Sequence, residues 1–409
     1  MALGDDRRTV TIRNNHKDHR RIIRRKARLK ASIVVIIVAV LLVAGIYFRV
    51  DEKLIALYDS MSGSEALVKS PAPEPEVVSE PVVEEDHTEE ALKAISQIEV
   101  DTSVVVTGDV EISGYVQSNY DASGIDGVVT PNLRKKLKSA DVLEINNEFA
   151  FSQRGTAADK QYTFRVDPSY VSILTGMGVD VAGLANNHVL DFGRDALTDT
   201  FDTLTGAGIP YTGAGASMDE ASGLIVTEAN GLKIGFLAAS RVIPETGWDV
   251  ANAQPGVFTC YDRARLVSAI RDARDRVDYL IVCVHWGKEH TTNLTDYQPS
   301  DGHAYIDAGA DAVIGAHPHV LQGIEFYDGK PIFYSLGNFI FNETIERTAA
   351  VKIVLDSDGK VKKIRLIPAY AEGATTTLAE GDRATEIYSY MESISQNAAV
   401  SADGVVTEK

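Results

Sequence analysis

Six side chains of metal-ligating type fall at comparable places along the chain: Asp109, Glu148, Asn187, His285, His317 and His319. The sharpest local pattern is Ile314-Gly-Ala-His-Pro-His-Val320, with two histidines two residues apart. On an extended segment that spacing turns both imidazoles to one side, toward one metal pocket. Pro318 between them removes a backbone N–H and stiffens the segment. The competing account is a surface loop with two unrelated histidines. Carboxylate oxygen, amide oxygen and imidazole nitrogen together suit Mn, Fe or Zn better than Ca or Mg. Two divalent ions about 3.5–4 Å apart would polarise a phosphoryl oxygen and activate a water between them.

Each of these residues follows an apolar run that reads as a strand. Val104-Val-Val-Thr107 leads to Gly108-Asp109, and Val142-Leu-Glu-Ile145 leads to Asn146-Asn-Glu148. Residues 179–184 lead to Asn186-Asn-His188, residues 279–284 to His285, and Asp311-Ala-Val-Ile314 to the two histidines. Ile332-Phe-Tyr-Ser335 leads to Asn338, and Lys233-Ile-Gly-Phe-Leu237 is a further strand. Helices are expected from Thr130, an N-cap before Pro131, and from Asp167-Pro168 to Gly176. Others cover 194–204, 262–276 and 300–308, and residues 349–368 form a hairpin turned at Asp356-Ser-Asp-Gly359. Strands alternating with helices predict an α/β domain of mixed sheets flanked by helices, with ligands collecting at the strands' carboxyl ends. No internal repeat is evident. One more helix is expected over 380–394, and the last dozen residues are read as disordered.

The chain is 409 residues long, 44% apolar, with a formal charge of −18. That charge is uneven: through Lys30 there are 11 Lys+Arg against 3 Asp+Glu, and the remainder carries 29 against 55. An acidic body argues against a nucleic-acid partner. Ala31 through Phe48 carries no charge and can cross a hydrocarbon core of about 30 Å. Basic sequence before it predicts a cytoplasmic N-terminus and a body outside the cell, anchored in the cell membrane by a single pass. A cleaved signal peptide is the alternative, but Ile-Tyr-Phe-Arg49 is a poor cleavage site. Prolines and carboxylates from Pro71 to Asp86 suggest an extended stalk, in which His87 is idle. The divisions expected are a basic tail (1–30), a transmembrane helix (31–50), an acidic Pro-rich stalk (51–100), a globular domain (101–375) and a C-terminal helix with disordered tail (376–409). Cys260 and Cys283 are assigned no function, although outside the cell they could pair. Gly213-Ala-Gly215 lacks the lysine and spacing of a phosphate-cradling loop, and no Gly-x-Ser-x-Gly elbow is present.

In order, Gly108-Asp109, Asn147-Glu148, Asn186-Asn187-His188, His285-Trp-Gly-Lys-Glu289, Gly315-Ala-His-Pro-His319 and Ser335-Leu-Gly-Asn-Phe339 resemble the signature segments of the CapA-type capsule and poly-γ-glutamate biosynthesis proteins. That group is similar to the calcineurin-like metallophosphoesterases, and the resemblance covers about 101–372. It implies a metallophosphoesterase-like sandwich holding two divalent metal ions. Asp109 and His319 would serve the first, Asn187, His285 and His317 the second, and Glu148 would bridge. His188 resembles a histidine that hydrogen-bonds or protonates the leaving oxygen; otherwise it only holds its loop. Metallophosphoesterases usually carry Asp-x-His where this chain has Asp109-Val-Glu111, so Glu111 either replaces an imidazole or is solvated, the reading favoured on sequence.

The resemblance implies an anionic polymer or phosphoester substrate and a membrane polymer-synthase or export complex as partner. The protein is then either a metal-dependent hydrolase or a polymer-binding assembly factor that keeps the ions without turnover. Glu289 either orients a ligand or substrate, with His188 as the other catalytic candidate, or forms a rim ion pair. Arg154 and Asn338 are candidate substrate-binding residues, with surface and structural roles as their alternatives. Ser335 shares Asn338's ambiguity, Asp191 is taken to shape a turn, Trp286 to be core or cleft wall, and His303 to be exposed.

Overall fold

A computed structural model describes residues 100–409. The basic tail, the expected anchor and nearly all of the stalk, His87 included, lie outside the described residues. Among the described residues no helix is long and apolar enough to cross a membrane.

The strands, in chain order, begin with β1 (Thr102–Val110), β2 (Val142–Asn147), β3 (Ala150–Phe151), β4 (Arg165–Val166), β5 (Val181–Gly183), β6 (Tyr211–Thr212) and β7 (Ala214–Gly215). Next come β8 (Ile225–Ala229), β9 (Leu232–Ser240), β10 (Gly256–Val257), β11 (Tyr279–His285), β12 (Ala312–Ala316), β13 (Leu321–Tyr327) and β14 (Lys330–Leu336). The chain ends with β15 (Asn338–Ile340), β16 (Ile345–Leu355), β17 (Val361–Glu372), β18 (Thr375–Leu378), β19 (Ala398–Val400) and β20 (Val405–Glu408). One sheet runs β19-β20-β17-β16-β1-β2-β5-β6, with β15 beside β1 and β18 beside β17. A second runs β13-β14-β12-β11-β9-β8, and β3 with β4 and β7 with β10 form two short pairs. The neighbours β1, β2, β5 and β6 are parallel, as are β9, β11, β12 and β14. Antiparallel β16, β17, β8 and β13 make both sheets mixed.

Period-two alternation sorts the apolar residues into layers. Val104 and Val106 of β1 join Phe236, Ile281 and Ile314 in a core between the sheets. Val105, pointing the other way, packs with Leu133, Leu197 and Leu204 of the helices Pro131–Lys138 and Arg194–Gly206. On the far face, Val282 and Val284 of β11 meet Leu266, Ile270 and Tyr305 of the helices Arg263–Arg274 and Tyr297–Ala308. The result is helix, sheet, sheet, helix, the expected α/β sandwich. Strands buried on both faces read as uninterrupted apolar runs, which is why they are visible in the sequence.

Several expectations need correction. The last dozen residues are ordered: β19 and β20 pair with each other, β20 extends the first sheet from β17, and Ala398, Val400 and Val406 are buried. A polar composition concealed this, because alternating small apolar residues suffice to cover a sheet edge. The helix Gly381–Ile394 lays Ile387 and Met391 against the same core. Thr130 precedes Pro131 but its hydroxyl makes no capping bond, so the proline's fixed φ starts that helix unaided. His303 is half-buried, with Nε2 2.9 Å from Glu325 and its ring stacked on Tyr327. Both cysteines are free.

Glu144 interrupts the apolar face of β2. It lies between the sheets beside Cys283, and burial pushes its carboxyl up from the ordinary 4.5 to about 8. An acid raised in this way keeps its proton in the folded state while the unfolded chain releases it. Its contribution is complete below about 4.5 and is lost progressively as pH rises toward about 8. At pH 7 this costs on the order of 3 kcal/mol. Glu144→Gln should flatten the fall in stability between pH 5 and pH 8, read as denaturation midpoints; parallel slopes for the two proteins would refute the buried-acid account.

Candidate metal centre

The parallel strands deliver the polar residues to one edge. Asp109 is the penultimate residue of β1, Glu148 follows β2, Asn187 and His188 follow β5, His285 ends β11, and His317 follows β12. The two sheets meet there because β1 is crossed closely by the β14–β15 connection. A Cβ on Gly108 would stand 1.9 Å from the Gly337 carbonyl oxygen, so only glycine fits, and the Asp109 N–H donates to that same oxygen at 2.9 Å.

His317 and His319 converge by a route the sequence did not suggest. Neither is extended: their φ angles are 94° and 59°, in the left-handed region. Such conformations cost about 1–3 kcal/mol each in non-glycine residues and persist only where surroundings impose them. Here the His290 N–H donates to the Pro318 carbonyl at 2.9 Å, and the Ser335 hydroxyl donates to the Val320 carbonyl at 2.7 Å. Their ring centroids lie 5.8 Å apart, and that of His285 lies 4.7 Å from His317.

Three groups of ligating atoms lie within 4.8 Å of one another: Glu148, His285 and His317; Asp109, Glu148 and His319; and Glu289, His317 and His319. Glu148 belongs to the first two. The Asn187 Oδ1 joins the first group, 2.7 Å from His285 Nε2. Asp109 Oδ1 accepts a 2.8 Å bond from Asn146 Nδ2, and its carboxylate also faces the His317 N–H. Asn338 Oδ1 sits 2.7 Å from His319 Nδ1 and fixes that ring. Among the described residues neither Glu148 oxygen nor His317 Nδ1 has a hydrogen-bond partner.

Burial dominates the electrostatics. It holds the Asp109 and Glu148 carboxyls above the ordinary carboxylate range, and the neighbouring Asp109 charge pushes Glu148 further. Burial also holds His285 far below the ordinary histidine value and His317 at about 3, so both imidazoles are neutral. Neutral imidazoles beside desolvated acids, with neither Glu148 oxygen hydrogen-bonded among the described residues, are the state that a divalent cation completes. The donor set therefore fits a metal.

His188 stands beside this cluster with its ring held in place. Its Nδ1 is 2.7 Å from Asp191 Oδ2, and Lys160 Nζ donates to Asp191 Oδ1 and to the Asn187 carbonyl, each at 2.7 Å. An Nδ1–H directed at Asp191 leaves Nε2 as the exchangeable nitrogen. Burial lowers the His188 pKa, against the pull of Asp191. Sequence reasoning missed Lys160 and Asn146 and gave Asp191 only a turn. Lys160 is 28 residues before His188 and lies in an irregular loop, so no local spacing marks it. Asn186 secures both loops, donating to Asn146 Oδ1 at 3.1 Å while its Oδ1 accepts from the His188 N–H at 3.0 Å.

The other candidates separate. Arg154 is exposed and paired with Asp199 at 2.6 Å on the helix Arg194–Gly206. Asn338, through His319, and Ser335, through the Val320 carbonyl, both hold the histidine loop. Glu289 is half-exposed at the rim. Trp286 is core, donating to the Tyr334 carbonyl. Glu111 overturns its reading as solvated: it is fully buried, and burial pushes it up to about 7 against the nearby Ser113 hydroxyl and Asn342 backbone.

Known proteins match this chain over much of its length. Over 250 residues it is 32% identical to the PGA biosynthesis protein CapA of Bacillus subtilis (strain 168), covering 60% of this chain and 65% of that one. It is 29% identical over 254 residues to the capsule biosynthesis protein CapA of Bacillus anthracis, covering 60% and 61%. The match thus spans less than two thirds of either relative's length. Among solved structures, a hypothetical protein from Thermus thermophilus aligns at 16% identity and a TM-score of 0.43, over 66% of this chain and all of that one. The sulfate thiohydrolase SoxB of the same species aligns at 10% identity and 0.38, over 71% and 60%. The sequence model described as "Bacterial capsule synthesis protein PGA_cap" matches residues 103–343, more than half of the chain, and the chain belongs to that family.

Proposed function

We propose that this protein is a metal-dependent hydrolase of capsule or poly-γ-glutamate biosynthesis, anchored in the cell membrane by residues 31–50, with residues 101–409 outside the cell. The observation that carries the reading is the convergence of Asp109, Glu148, Asn187, His285, His317 and His319, with Glu148 common to two ligating groups. Asp109 and His319 would hold one divalent ion, Asn187, His285 and His317 the other, and Glu148 both. When bound, such ions polarise a substrate oxygen and lower the pKa of water. The chain's own residues do the rest. His188, oriented by Asp191 and Lys160, offers Nε2 to the leaving oxygen. Glu289 at the rim meets the incoming substrate, an anionic polymer or phosphoester. A polymer synthase or export complex in the membrane is the partner that the anchor serves. The competing reading, a polymer-binding assembly factor without turnover, draws on the missing Asp-x-His imidazole at Glu111.

Two outcomes are expected. His188→Ala should lower phosphodiester or polymer hydrolysis by about 10²–10⁴-fold while leaving metal content intact. Unchanged turnover in that variant removes His188 from the chemistry, and absence of turnover with every metal favours the assembly factor. Mn²⁺ binding should also release protons, because Asp109 and Glu148 hold raised pKa values in the metal-free protein. Affinity should then rise with pH. His285 and His317 are already neutral and contribute no protons. Calorimetry in buffers of different ionisation enthalpy measures the release, and a buffer-independent heat contradicts it.

A further inference from the structure

Two phenylalanines stand among the histidines of the metal edge without a task. Phe164 lies against His188, with ring centroids 4.4 Å apart and planes inclined by 36°. Phe341 meets His319 edge-on at 5.3 Å, and the two phenylalanines meet each other edge-on at 6.0 Å. A continuous row of rings thus runs from His188 to His319. Both phenylalanines are half-buried. Phe164 packs on the apolar cluster between the first sheet and its helices, whereas Phe341 belongs to none of the three clusters. Core packing therefore accounts for the first ring and not for the second.

Both rings are held from behind by the groups that hold the histidines. The Phe164 N–H donates at 2.7 Å to Asp191 Oδ2, the oxygen that also faces His188 Nδ1. Phe341 directly follows β15, and the turn beyond it is tied at two points. Asn342 Oδ1 accepts from the Tyr115 N–H at 2.8 Å, and Glu343 accepts from Asn338, the residue that fixes His319. Each phenylalanine is set together with its histidine.

We propose that Phe164 and Phe341 form the subsite for the leaving group, which is uncharged and presents a C–H-rich face. This rests on the hydrolase reading, in which His188 Nε2 serves the leaving oxygen. Whatever that oxygen carries lies within reach of the ring stacked on His188. An aromatic face bears partial negative charge, so it takes an apolar or C–H surface and disfavours a second carboxylate or phosphate. The pair thereby selects a phosphoester with an apolar-faced leaving group over a substrate that is anionic along its whole length. The substrate's own negative charge stays on the side of the ligating residues.

The test compares two methyl phosphodiesters that differ only in the leaving alcohol, cyclohexylmethanol or glycolic acid, together with their non-hydrolysable phosphonates. The full-length chain loaded with Mn²⁺, and its Phe341→Ser, Phe341→Leu and Phe164→Leu variants, are assayed for kcat/KM on the esters. Titration calorimetry measures binding of the phosphonates. The parent should favour the cyclohexylmethyl member of each pair on the order of tenfold or more. Phe341→Ser should bring that ratio toward one, while Phe341→Leu and Phe164→Leu, which stay apolar, keep most of it. A structural role alone would slow both esters equally and leave the ratio unmoved. If the parent binds the two phosphonates equally or not at all, or if Phe341→Ser keeps the parent ratio, the subsite is refuted. The hydrolase reading then still stands wherever either ester is turned over. Selective binding that depends on Phe341, with no turnover of either ester, upholds the subsite and sinks the hydrolase reading instead.

Discussion

The structure depends on a pair of buried acids, Asp109 and Glu148, held together at one edge of the sandwich. Asp109 and Glu148 are both fully buried, and Glu148 has no hydrogen-bond donor among the described residues. A carboxylate so placed costs several kcal/mol unless it is protonated, paired or bound to a cation. Burial keeps His285 and His317 neutral, while His319, 3.5 Å from the Asp109 carboxylate, draws the Asp109 pKa back down against burial. The nearby ammonium is engaged elsewhere: Lys160 is bound to Asp191 and the Asn187 carbonyl. Lys160 thereby positions His188, and its charge offsets burial at Glu148 only in part. The same distribution that makes the metal-free site unfavourable gives it affinity for divalent ions.

Two sheets are needed to produce that edge. The first supplies Asp109, Glu148 and Asn187; the second supplies His285 and His317. Neither donor set is complete alone, so the packing of one sheet on the other determines the site. Gly108 and Gly337 set that packing locally, since any side chain at Gly108 would collide with the Gly337 carbonyl. Amides then tie the sheets across the gap. Asn146, on the first sheet, donates to Asp109 and lies 3.4 Å from His285 Nδ1 on the second. Outer contacts of this kind fix ring orientation and ligand basicity.

How much of this could be read from the chain depends on the distance over which each residue acts. Asp109, Glu148, His285 and His317 were legible because each stands directly after an apolar run, and parallel strands put such positions together. Asn187 was legible for the same reason. Lys160 was not, because it reaches His188 across an irregular loop with no periodic signal. Glu111 was misjudged because a charged residue just past a strand usually meets water, and only the tertiary fold shows that β15 and Asn342 close over it. The convergence of His317 and His319 was expected for the wrong reason. A left-handed turn, not an extended segment, brings the rings together, and φ values leave no mark on sequence. The C-terminal strands failed for lack of length: three or four residues carry too little pattern to distinguish from a tail.

Strain and charge at the metal edge also bear on the order of events in assembly. In small zinc-dependent domains the ion supplies the folding energy, because no separate core exists. Here three apolar clusters, one between the sheets and one on each outer face, form without involving a single candidate ligand. The histidine loop is held by contacts that need no metal: His290 to Pro318, Ser335 to Val320, Asn338 to His319. The ligands are therefore arranged before an ion arrives, and the cores carry the cost of keeping them so. An ion entering this site gains affinity from preorganisation rather than spending it on ordering the chain. It also stabilises the folded state by mass action, in proportion to how far its concentration exceeds its dissociation constant. Metal removal should thus soften the edge without unfolding the sandwich, because the apolar clusters that hold the sheets together contain none of the candidate ligands.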